Sequence, residues 1–174
     1  MSTGRPFAVA SVIARGVVAG AAGTLAMDVL RFRRYRGEGG TDAFAPWELS
    51  TGTRSFEDAG APADVGRRLA RHAGVQIADR WAGLTTDVVH WSTGTTWGIA
   101  ASALAAAGLA PLTAGLFVGG VAFSTAHAAL SRVGMYRPIR EYDGKRLVDD
   151  LEGHLLFGAV TGITLAVVHR ARRR

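Results

Sequence analysis

The chain has 174 residues, 48% of them hydrophobic and 20% charged, with a net charge of +6 and no cysteine. That length suits one domain, and the missing thiol removes disulfides and thiol nucleophiles. The distribution excludes an ordinary soluble domain: from Val88 to Ser131 there are 44 consecutive residues without Lys, Arg, Asp or Glu.

In chain order, the first apolar segment covers residues 7–30 and is interrupted by Arg15 and Asp28. It is long enough to span a bilayer. It does not read as a secretory leader, because Arg15 breaks the apolar stretch and Asp28 stands where a small-residue cleavage site is needed. A loop follows over residues 31–82, too long to be structureless. Pro62 can open and Gly74 can close a helix at about 62–73, with Val65, Leu69 and Ala73 on one face and Arg67, Arg68 and Arg71 around the other. Such an amphipathic helix is expected to lie on the membrane surface. Pro46 and the stretch WELSTGTRSFEDAG predict a second, shorter helix before it.

Residues 84–107 and 111–131 form the second and third predicted spans, divided by the helix-stopping turn Gly108-Leu-Ala-Pro111. Asp143 or Gly144 opens the last helix, whose span is expected over 146–169. The two odd-numbered loops carry fourteen of the flanking Lys and Arg residues and the remaining connections and tails carry five. This places those loops in the cytoplasm and both termini outside. The expected fold class is therefore all-α, a single membrane domain of four transmembrane helices. The basic residues flank the spans, so they read as orientation signals and as attraction to anionic lipid headgroups. Nucleic acid is not an expected partner. Nineteen arginines against the lone Lys145, with abundant Ala and Gly, suggest a bacterial coding sequence and hence the inner membrane.

Every predicted span contains Gly-x-x-x-Gly: Gly16 and Gly20, Gly94 and Gly98, Gly115 and Gly119, Gly158 and Gly162. In lipid, small residues let helix backbones approach closely, so this favours a compact bundle. A second pattern overlies it. His90 precedes Gly94 and Gly98 as His154 precedes Gly158 and Gly162, with Asp87 and Asp150 three and four residues upstream. Asp28 follows Gly16 by twelve residues, as His127 follows Gly115. These spacings suggest a parallel duplication of a two-helix unit. They also put Asp28, Asp87, His90, His127, Asp150 and His154 at one end of the bundle.

Ionisable groups at that depth must be paired or wetted. One reading has them hydrogen-bond across helices and lock the bundle. A second is a proton or small-solute path, since histidine titrates near neutral pH. A third is a metal site built from His90, His127 and His154, whose donors suit zinc or iron. No dedicated metal spacing is present, so no cofactor is expected. Ser124 near His127, and GEGG at 37–40, are too sparse to signal catalysis or phosphate binding. Arg15 is expected to face the bundle interior or to snorkel. Trp81, Trp91 and Trp97 read as interface anchors and packing residues, and His72 and His169 as solvated.

At HWSTGTTWG, GMYRP and DDLEGHLLFGAVTG the chain resembles the YagU-like family of small bacterial inner-membrane proteins. The resemblance runs from about Pro62 to Gly162. It rests on PADVGRRLA, on His90-Trp-x-x-Gly-x-x-Trp-Gly98, on Met135-Tyr-x-Pro138, and on Asp150 with His154 and Gly158. It departs at Ser92-Thr93, where relatives carry Gly-Tyr. The family has no assigned activity, so the resemblance implies a multi-span helical protein and no catalytic residues. The expected function is that of a non-enzymatic structural or accessory bundle. Its expected partners are the bilayer and either a second copy or another membrane protein.

Overall fold

The computed structural model describes residues 4–132, 134 and 136–171, the side chains of residues 4–8 and 171 aside. Met135 of the family motif and Arg172 to Arg174 of the tail lie outside the described residues. Helices α1 (Gly4–Gly37), α2 (Phe44–Glu48), α3 (Ala61–His72), α4 (Ala82–Ala106), α5 (Pro111–Ser124) and α6 (Gly144–Ala171) account for most of the chain, and the described residues contain no strand.

Backbone chemistry sets the ends. α4 stops at Gly108, whose φ of +109° is cheap only without a Cβ. The Leu109 N–H then closes back on the Leu104 carbonyl at 3.1 Å. Pro111 opens α5, where its missing N–H costs nothing. Asp143 opens α6 by accepting the Arg146 N–H at 2.8 Å. α5 does not end at Ser124 but widens into a π-helical turn over Thr125–Leu130. α1 runs past the predicted boundary at residue 30 to Gly37. Arg31, Arg33, Arg34 and Arg36 are therefore helical, and residues 38–81 form the loop.

α1 packs along both α4 and α6, and α5 packs along α6. In cross-section the order is α4, α1, α6, α5, and α4 also meets α5. Leu165, Ala19, Ala101, Val118 and Phe157 fill the centre. α3 lies across α4, with Gly66 over Thr85 and Val89. Its Ala63 is buried, whereas Leu69 is exposed. α2 is held to α1 by rings: Phe44 and Trp47 sit 5.2 and 5.4 Å from Phe32.

Among the described residues three helical stretches are long and apolar enough to cross a membrane: Val9–Gly37, Pro111–Leu130 and Gly144–Arg170. α4 has the length, at 25 residues, but the polar run from His90 to Thr96 dilutes its apolar character.

Candidate functional site: a charge chain across the bundle

The four Gly-x-x-x-Gly pairs meet as two sets. Gly16 and Gly20 of α1 face Gly94 and Gly98 of α4, and Gly115 and Gly119 of α5 face Gly158 and Gly162 of α6. A Cβ on Gly98 would collide with the Gly16 carbonyl and the Gly20 backbone; one on Gly115 would meet the Gly162 nitrogen at 2.6 Å. The helix backbones are thus in van der Waals contact.

The two sets differ by one helical turn. Gly20 lies against the Gly94 carbonyl, whereas Gly119, its counterpart by spacing, lies against the His154 carbonyl. His154 is the counterpart of His90, one turn earlier than Gly94. The shift decides which side chains meet a few turns on. Asp28, buried on α1, receives the His90 Nε2–H at 2.9 Å on one carboxylate oxygen and 3.0 Å on the other. His127, which occupies the position matching Asp28, sits in the π turn and sends Nε2 to Asp150 at 2.7 Å. Both halves contain one Asp–His pair, with acid and base exchanged.

Arg31 joins them. Its guanidinium donates to Asp150 at 3.0 Å and stands 4.0 Å from Asp28. The result is an unbroken sequence, His90, Asp28, Arg31, Asp150, His127, that touches α4, α1, α6 and α5 in turn. One turn further along α1, Arg34 donates to the Asp149 carbonyl at 2.7 Å and also binds the Glu152 carboxylate. The His127 ring is fully enclosed, with Phe123 and Tyr142 centroids at 4.5 and 5.0 Å. Its Nδ1 has no protein partner among the described residues.

Two of the six predicted polar residues lie off this sequence. His154 donates Nδ1–H to the Asp150 carbonyl of its own helix at 2.9 Å. Asp87 faces Ser50 in a loop-side cavity of about 560 Å³ that also reaches Asp28, Glu48 and His90. Glu48 was not anticipated there. It accepts the Trp91 indole N–H at 3.1 Å. Its pKa is pushed up to about 7, first by burial and then by the Asp28 carboxylate. His90 pairs with Asp28 while His127 and His154 both reach Asp150, and among the described residues no three His, Asp or Glu side chains converge as a metal site would require.

At the other end of the bundle His169 is not a solvated tail residue, as the sequence suggested. Its Nδ1–H goes to the Leu165 carbonyl at 2.9 Å. Its Nε2 lies 3.1 Å from the Arg15 guanidinium and, because arginine only donates, must accept. Arg15 thereby places one guanidinium N–H on an acceptor carried by α6. Nearby, the Ser102 hydroxyl donates to the Val12 carbonyl at 2.8 Å, a second polar tie between α4 and α1. Comparison of the chain with models of known families, with curated proteins and with solved structures gives no match.

Proposed function

We propose that the chain is a non-enzymatic, structural or accessory protein of the bacterial inner membrane, of YagU-like type, in which α4 is a fourth crossing helix. The observation that carries this reading is the charge chain: five side chains bind four long helices in one series, and each group is consumed by a neighbour on another helix. Groups arranged so are a clamp rather than a reactive centre. Crossing by α4 is supported by how its polarity is hidden. Thr86, Thr95 and Thr96 bond back to carbonyls of their own helix, and His90 is satisfied by Asp28. The arginine count then sets the loop carrying α3 in the cytoplasm, with α3 on the membrane surface.

A proton or small-solute path is the second reading, favoured by the cavity through which Asp28 and His90 can be reached from the loop side. The glycine contacts oppose it, because backbone touching backbone at Gly16, Gly98, Gly115 and Gly162 leaves no lumen between those helix pairs. Reconstitution decides between the two. We expect a His90→Ala, His127→Ala double variant to melt well below the native protein and to show the same proton flux across liposomes. Flux present in the native protein and lost in the variant would replace the clamp with the path.

A further inference from the structure

Bounded by α4 and α5 together with residues of α1, α3 and α6 lies a cavity of about 370 Å³, within the size range of small-molecule sites. Its walls are mostly apolar: Met27 and Phe157 are buried, and Trp97, Val89, Leu130 and Val65 complete them. Thr93, exposed on α4, stands at its mouth. Its titratable lining residues are Arg31, His90, Tyr136 and His154. Trp97 is two turns from His90, about 10 Å along the axis, so the site is an apolar slot with a polar floor.

We propose that this slot binds a neutral long-chain lipid bearing a hydroxyl group, with the hydroxyl on the polar floor and the chain leaving past Trp97 between α4 and α5. The hydrogen-bonding inventory selects the head. His154 has its Nδ1–H fixed on the Asp150 carbonyl, so the neutral ring offers Nε2 as an acceptor, and Nε2 has no protein partner among the described residues. Tyr136 supplies a donor: burial first, and the Asp150 charge next, hold its hydroxyl above the ordinary range, so it keeps its proton. One donor and one acceptor lining the same cavity are the complement of a hydroxyl. An anionic head is disfavoured, since Arg31 is already shared by Asp28 and Asp150, two carboxylates against one guanidinium. A purely apolar occupant would leave His154 Nε2 and the Tyr136 hydroxyl unmet.

The proposal rests on the membrane reading above, and the test separates the two. The full chain is incorporated in lipid nanodiscs and irradiated with a diazirine-bearing hexadecanol. Label is expected on peptides containing Met27, Trp97 and Phe157, competed by unlabelled hexadecanol but not by hexadecanoate or hexadecane. His154→Ala should weaken that competition by about tenfold, the cost of one unmade hydrogen bond. Thr93→Phe should block labelling at the mouth without lowering the melting temperature, which keeps the test sound should His154→Ala fail to fold. Label confined to the lipid-facing Val17, Ile163 and Val167, or competed equally by hexadecane or hexadecanoate, overturns the site while leaving the membrane reading intact. A chain that never enters the nanodisc overturns both.

Discussion

Around Gly16 and Gly20 in α1, helices meet backbone to backbone with no side chain between them. Two to three turns further on, from Asp28 to Arg34, the same helix is joined to its neighbours by carboxylates, imidazoles and guanidinium groups. The first kind of joint is steric. It is insensitive to pH and salt, and it accepts no additional atom. The second is electrostatic. It tolerates reshaped side chains but depends on every partner being present and correctly charged. One bundle thus uses two joints that fail in different ways, and the contrast can be broken at each.

The largest effect is expected in the steric half. Gly98→Leu drives a side chain into the Gly16 carbonyl and Gly20 and should cost about 3 kcal/mol or more, read as loss of monodisperse protein or early unfolding in a denaturing-detergent titration. Gly120→Ala, on a helix face with nothing within 4 Å, should change stability by less than about 0.5 kcal/mol. Equal effects from the two would remove the steric account.

Arg31→Met comes next. It leaves Asp28 and Asp150 facing each other without a shared cation and should cost about 2 kcal/mol, below the figure for a fully buried pair because Arg31 is partly exposed. The cost should shrink in an Asp150→Asn background. Additive effects of the two substitutions, measured by the same titration, would show that the groups do not act as one unit.

The electrostatic end also predicts a pH response. Glu48 has an ordinary pKa of 4.5 and a folded value of about 7, so the folded protein holds that proton more tightly than the unfolded chain. This contribution is fully present below pH 4.5 and is lost as pH rises through 7. Glu48→Gln keeps an acceptor for Trp91 and abolishes the titration. It should raise the melting temperature at pH 8 relative to the native protein and leave it nearly level at pH 4. A gain of the same size at both values contradicts the assignment. The smallest effect is expected from His169→Ala, which unpairs Arg15 at about 0.6 kcal/mol, the average for a hydrogen bond between membrane helices.

Much of this was legible in the residues, because helical periodicity is a local property. The spacing of Gly16 with Gly20 and of Gly158 with Gly162 marks contact faces whatever the neighbours are, and the six Asp and His positions share one depth for the same reason. Which helix sits beside which is not local. That α1 packs against α6 is what brings Arg31 to Asp150, and nothing in the sequence near residue 31 signals it, so Arg31 read only as an orientation charge beyond a span. His169 and Arg15 were separated for the same cause, being 154 residues apart. Asp87 shares a helix face with His90 yet turns to Ser50, because α2 and its loop occupy that side. The widened turn at Thr125–Leu130 has no local signature such as proline, and without it the direction of the His127 ring could not be read.

The two helices that hold both carboxylates, α1 and α6, are the first and the last of the long helices to leave the ribosome. Until α6 emerges, Arg31 has Asp28 alone and His127 has no acid. The bundle therefore closes its series of polar contacts only when α6 packs against α1 and α5. A nascent chain stalled after α5 holds the His127 imidazole without its acid.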